Sequence, residues 1–328
     1  MKRKIIFLFS LFLLNNFLQA QISLVDSIIT PSSLRSIVEY LAADSLNGRF
    51  TGSPGCTKAA EFIAKEFENA GLKPVKGNDG YFMPVTSTWG NVVGAIQGRS
   101  MPEEVIIFSA HYDHIGTIST NPSPTFGGYA KTRKRDTIYN GANDNASGIS
   151  GLISLARYFA KEHTNERTIL FVAFAGEELG TLGSEYFTSF IDADLIKAVI
   201  NMDMIGRKDD FRESPYMTGS ELSDLYSLLN KRLFEANSKK YGKNFIDRDR
   251  FPAEILFVRS DNYPFAQLGI PAHTIMTTSP KDKYYHSLSD EPSTLDYEFM
   301  SRIIKAIAIG CEGLITGEDT PTRLTPEK

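Results

Sequence analysis

Residues Ile169–Phe187 read ILFVAFAGEELGTLGSEYF. The apolar run from Ile169 to Ala175 has the look of a strand covered on both faces, as in a parallel sheet sandwiched between helices. Gly176 then opens a turn, and Glu177 and Glu178 follow side by side. Two carboxylates that close repel each other, and both are costly to desolvate unless cations or protons compensate. The stretch therefore predicts a buried strand that delivers paired acids to its carboxyl end.

Working outward, other segments repeat the alternation of strand and helix. Thr30-Pro31 is a helix start, with Leu34, Ile37 and Leu41 at helical spacing. The turn-rich Asn47–Gly55 (NGRFTGSPG) precedes a second helix over 57–70, stopped by Gly71. Strands are expected over 92–96, 105–110, 168–175, 198–205 and 271–276. Helices are expected over 149–159, 222–234 and 295–309. The alternation predicts an α/β fold, a doubly wound, mostly parallel (mixed) sheet with helices on both faces. The interval between Gly71 and Val92 is too short for an inserted domain, so one domain over 21–317 is expected. The largely polar 118–140 segment reads as a long surface loop rimming the site. The polar tail 318–328 reads as disordered.

Composition narrows the class. Hydrophobic content of 42% and charged content of 23% are ordinary for a globular chain, and a net charge of −4 gives no footing for nucleic acid. Lys2, Arg3 and Lys4, the apolar run Ile5–Leu14 and Leu18-Gln19-Ala20 form a signal peptide over 1–20. The expected mature protein is exported, periplasmic or extracellular, with no stable membrane association. Cys56 and Cys311 are compatible with one disulfide or with two buried thiols.

Candidate metal donors gather at the strand ends. His111 and Asp113 close one strand, Asp144 lies in a Gly/Asn loop, Asp203 closes another strand and His286 follows two tyrosines. In an open α/β sheet, ligands bind beyond the carboxyl ends of the strands. This mixture of oxygen and nitrogen donors suits zinc. Taken singly, each has a blander explanation: a chance H-x-D, a solvated acidic helix start, a cap. Of the remaining histidines, His163 reads as solvent-facing, His273 as a hydrogen-bonded core residue and His114 as a supporting neighbour at most.

The order SAHYDHIG, NGANDNASG, AGEELG, INMDMIGR, YYHS is far more specific. It resembles the co-catalytic di-zinc peptidases of metallopeptidase family 28, which include bacterial leucyl aminopeptidases, glutamate carboxypeptidases and glutaminyl cyclases. The likeness extends to LAADSLNGRFTGSPG and RSDNYPFAQLGIPA. It implies two zinc ions per chain in a single zinc-peptidase domain. His111 and Asp203 would hold one ion, Glu178 and His286 the other, and Asp144 would bridge them. Glu177 would be the general base that takes a proton from the water shared by the ions, leaving a bridging hydroxide. Asp113 would orient the His111 ring and Tyr285 would stabilise the oxyanion. A cis peptide before Asn145 is also implied. Asn143 and Asn262 depart from the usual residues of the family, the latter in the region of the substrate pocket. The activity implied is that of an aminopeptidase acting on peptides with a free N-terminus. Alternatives are a single-zinc glutaminyl cyclase, a carboxypeptidase, or an inactive binding protein that has kept the fold. The basic run Lys131, Arg133, Lys134 and Arg135 could serve a carboxypeptidase but reads first as a solvated loop.

Overall fold

The computed structural model describes residues 24–75, 77–78, 80–121, 136–209 and 211–325. The expected signal peptide and the basic run 131–135 lie outside those residues. Within them, eight strands form one mixed sheet: β1 (Lys73–Pro74), β2 (Phe82–Pro84), β3 (Gly90–Ile96), β4 (Met101–His111), β5 (Arg167–Phe174), β6 (Ile196–Met202), β7 (Tyr216–Met217) and β8 (Ala272–Met276). Their order is β1-β3-β5-β4-β6-β8-β7, with β2 also on β3. The central β5, β4, β6 and β8 are parallel, and antiparallel strands finish both edges.

Period-2 alternation builds the two cores. Ile106, Phe108 and Ala110 of β4 and Ile169, Phe171 and Ala173 of β5 face the larger cluster. Ile107, Val172 and Phe174 face the smaller one on the opposite side. Helices cover both faces, but unequally. The long helices α1 (Pro31–Leu41), α2 (Pro54–Ala70), α3 (Gly148–Glu162), α5 (Leu225–Tyr241) and α7 (Tyr297–Gly310) contribute to the larger core. The short α4 (Leu182–Thr188) and α6 (Tyr263–Gln267) supply Phe187, Phe265 and Ala266 to the smaller. The chain ends its helices with α8 (Glu312–Thr316).

Several boundaries differ from expectation for local reasons. α2 begins at Pro54, not Thr57, because the Ser53 hydroxyl accepts the Cys56 N–H at 3.2 Å and caps the helix. β6 stops at Met202, short of 205, and Met204 turns the chain with φ of 60°. α5 starts and ends later than 222–234. The tail is polar as read but is not loose through residue 325. Arg323 donates to the carbonyls of Ala193, Ile196 and Leu268, Asp319 pairs with Arg232 at 2.6 Å, and Leu324 is buried in the smaller core. Both cysteines are buried free thiols, and burial pushes Cys56 up to about 12.

β5 and β6 flank β4, so the chain reverses its direction of winding there and opens a crevice beyond the strands' carboxyl ends.

Candidate metal centre and catalytic cleft

His111 is the last residue of β4, and Asp203 follows β6 directly. Beyond β5, Gly176 adopts φ of 76°, which allows the chain to double back. The N–H groups of Gly180 and Thr181 close on the Glu177 carbonyl at 2.8 and 2.9 Å, and Leu182 N–H reaches Gly176 O at 3.0 Å. The turn projects the glutamate pair into the crevice. Asp144 sits in the irregular turn before α3, joined to Asn145 by a cis peptide bond as the family resemblance implied.

Asp290 organises this turn from outside. Its carboxylate accepts N–H bonds from Asn143 and Asp144 at 3.0 and 3.1 Å. Arg207 donates to Asp290 at 2.7 Å and to Asp282 at 2.5 Å. The Arg207 clamp thus ties both ends of the 282–290 segment that carries His286. His286 itself takes a left-handed φ of 49°, a conformation that costs a non-glycine residue roughly 1 kcal/mol or more unless its surroundings enforce it.

The side chains converge. His111 Nε2 lies 3.4 Å from Asp144 Oδ1, 3.6 Å from Asp203 Oδ1 and 4.0 Å from Glu177 Oε2. His286 Nε2 lies 3.1 Å from Asp144 Oδ2 and 3.2 Å from Glu178 Oε2, and makes no hydrogen bond to either. At about 2.0–2.1 Å per bond, donors around a tetrahedral zinc stand about 3.3–3.4 Å apart. The observed spacings bracket that value. His111, Asp144 and Asp203 form one group able to hold a cation, and Asp144, Glu178 and His286, with His114 beside them, form another. Asp144 belongs to both and turns one oxygen toward each. Buried donors of this type, spaced for a shared ion, fit a pair of zinc ions; only His114 and Glu178 among them are hydrogen-bonded to each other.

Electrostatics point the same way. Burial works to lower the His286 pKa, yet Glu178 and Asp144 outweigh it and raise it to about 11. His111 is likewise raised against its burial by Glu177, Asp203 and Asp144. The adjacent glutamates split. Burial, helped by Glu178, Asp203 and Asp261, holds Glu177 well above the carboxylate range despite His111. Glu178 is buried too, but His286 and His114 bring it well below. Environments that push two neighbouring acids apart suit one to carry a proton and the other to remain an anion.

The surroundings contain differences from expectation and residues that spacing alone had not suggested. The Asp113 carboxylate does not hydrogen-bond His111: the separation is 3.8 Å, while the ring Nδ1 meets the Asp113 main-chain oxygen at 3.3 Å. The carboxylate is turned instead toward the Thr51 hydroxyl at 2.6 Å and the Glu177 N–H at 3.3 Å. Tyr285 lines the cleft and stacks on His286 with ring centres 4.0 Å apart. Asn143 bonds Thr278 and the Gly206 N–H, and Asn262 bonds Thr274 and Phe257 O, so both serve the frame. Ser260 donates to Asp203 at 2.7 Å. His163 is exposed and His273 is a buried, doubly hydrogen-bonded core residue.

Arg49 is the least expected. Fully buried, it donates to four carbonyls: Tyr112 at 2.8 Å, Leu41 at 2.6 Å, Asn140 at 2.7 Å and Gly141 at 3.0 Å. It braces the strand end between His111 and Asp113 against the approach to Asp144. Its motif, NGRFTG, was visible as part of the family resemblance, but nothing in the spacing marked the arginine as central. The cleft is completed by Met204, Leu256, Arg259, Met276, Thr278 and Pro280.

Comparison with known proteins supplies the family. A sequence profile described as Peptidase family M28 matches residues 91–309. A probable zinc metalloprotease of Phaeosphaeria nodorum is 26% identical over 219 residues, covering 61% of this chain and 43% of its own length. A probable leucine aminopeptidase of Trichophyton verrucosum is 27% identical over 309 residues, covering 89% of this chain and 75% of its own. The chain thus spans less than half of the first and three quarters of the second. Among solved structures, the LapA aminopeptidase of Legionella pneumophila superposes with a TM-score of 0.68 at 21% identity, over 89% of this chain and 74% of that one. A glutaminyl cyclase of Bacteroides thetaiotaomicron superposes with a TM-score of 0.66 at 19% identity, over 89% of this chain and 99% of that one. At such identities the structural likeness is one of fold. The extent of the profile match decides the family: the chain belongs to peptidase family M28.

Proposed function

We propose that this M28 peptidase is an exported two-zinc aminopeptidase that removes the first residue of a peptide. The observation that carries the proposal is Asp144, whose two oxygens face two separate donor groups, one with His111 and Asp203 and the other with Glu178 and His286. A site for one ion needs only the second group.

Bound there, the ions supply Lewis acidity and a water of lowered pKa. Glu177, in the cleft 4.0 Å from His111 Nε2, takes a proton from the attacking water as a carboxylate and passes it to the leaving amine. Tyr285 is kept protonated chiefly by burial and offers its hydroxyl to the oxyanion from beside His286. The free amine of the substrate would sit against the acidic end of the cleft, which restricts cleavage to the first bond. Met204, Leu256 and Met276 give the wall an apolar stretch suited to an apolar first side chain. The basic start and apolar run of residues 2–14 support export.

The test uses aminoacyl p-nitroanilides and their N-acetylated counterparts, with zinc counted per chain. Hydrolysis of free-amine substrates alone, abolished by a chelator and restored by zinc, is expected. Conversion of N-terminal glutamine to pyroglutamate by protein holding one zinc would replace the proposal with the cyclase. Trimming of acetylated peptides from their carboxyl end would replace it with a carboxypeptidase.

A further inference from the structure

His114 lies in the same H-x-D-H stretch as His111 but stands outside the expected ligand set. Its N–H bonds to Arg49 O at 3.2 Å. Its ring is fully buried in a niche that Gly141 leaves open: a Cβ on Gly141 would come within 2.5 and 2.6 Å of two ring carbons. Nδ1 lies 3.0 Å from Glu178 Oε1. The other oxygen of that carboxylate, Oε2, is the one facing His286 Nε2. The two rings meet edge to face with centres 5.6 Å apart. Nε2 of His114 has no hydrogen-bond partner, so its polar engagement is with Glu178.

We propose that His114 is a positioning residue for Glu178. A carboxylate can only accept, so the facing ring nitrogen carries the proton and donates it to Oε1. That bond occupies Oε1 and presents Oε2 alone to the ion that Asp144, Glu178 and His286 would hold. Without it, both Glu178 oxygens are free to turn toward the ion, and the carboxylate loses its fixed direction. His114 falls within the same group of possible donors, but its distances favour a hydrogen bond to Glu178 over a place on the ion. Its separation from Asp144 Oδ2 is 3.8 Å, wider than the roughly 3.3 Å expected between donors of one tetrahedral zinc, whereas 3.0 Å to Glu178 is a hydrogen bond. One strand end would thereby steady both halves of the centre: the Asp113 main chain holds His111, and the next residue holds Glu178.

The inference rests on the metal reading above, and the experiment separates the two. Stripped wild-type protein is titrated with zinc against a chromophoric chelator, then with cobalt for its visible spectrum. Two variants follow: His114→Phe, which fills the niche without a donor, and His114→Asn, whose amide N–H can replace Nδ1–H. For His114→Phe, one site should weaken by about 10–100-fold, the usual cost of losing an outer partner of a ligand, while the other is unchanged. His114→Asn should recover most of the loss with a wild-type cobalt spectrum. Wild-type affinity at both sites in His114→Phe overturns the proposal. So does equal loss in both variants with an altered cobalt spectrum, which makes His114 a ligand. Should wild type take up one equivalent, the two-metal reading fails, and the same pair of variants still decides the role of His114 at the remaining ion.

Discussion

His286 and His273 are both largely withdrawn from water, yet burial leads them to opposite ends. His273 lies in β8 with Nδ1 on Thr218 O at 2.9 Å and Nε2 on the Ser223 hydroxyl at 2.8 Å. Burial there wins, and its pKa falls to about 4. At His286 the same burial is overridden by Glu178 and Asp144, and the pKa climbs to about 11. Desolvation alone makes a histidine neutral; only a concentration of negative charge reverses it. The contrast separates a polar group that the fold has satisfied from one that still calls for a cation.

Removing the shared charge should have the largest effect on that contrast. In Asp144→Asn both donor groups lose a ligand, so we expect less than one zinc per chain and turnover at background, with the fold checked by circular dichroism. Two zinc ions retained in this variant would break the comparison outright. Next comes Glu177→Gln, which keeps the shape of the site but cannot move a proton. Zinc content should stay at the wild-type level while kcat falls by about 10²–10⁴-fold. Unchanged turnover removes Glu177 as the base.

The smallest effect is on the His273 side. Its folded pKa lies below the 6.5 of an exposed ring, so on acidification the unfolded chain takes up the proton first. Stability is therefore whole above about pH 6.5, declines as pH falls, and is lower by about 3 kcal/mol once pH 4 is passed, at about 1.4 kcal/mol per unit. His273→Asn should flatten this part of the acid limb in urea melts run at neutral and acid pH. Equal acid losses in variant and wild type would mean that the ring does not titrate as its burial implies.

Much of this was legible in the sequence because it is local. A strand such as Ile169–Phe174 declares itself by composition, and the donors at strand ends follow from where ligands bind in such sheets. His273 could be read as a core histidine from its apolar neighbours. The supports were not legible, because they are long-range. Thr51 reaches Asp113, Asp290 reaches Asn143, and Ser260 reaches Asp203 across gaps in the chain that no periodicity spans. The expectation that Asp113 grips the His111 ring failed for the same reason, since Thr51 competes for its carboxylate. The ordered tail depends on Arg323 finding three carbonyls brought together only by the finished fold.

Arg49 has a practical consequence for anyone trimming this protein. The span matched by the family profile opens at residue 91, well after the arginine that holds Tyr112, Asn140 and Gly141 in place. Expression of residues 91–309 alone would produce the ligands without the buttress behind them: three inward-facing carbonyls stripped of their donor, and a void where a guanidinium had been. The profile's borders are therefore a poor guide for cloning, and a minimal fragment has to begin before Arg49 and keep the end of α1, whose Leu41 carbonyl Arg49 also holds.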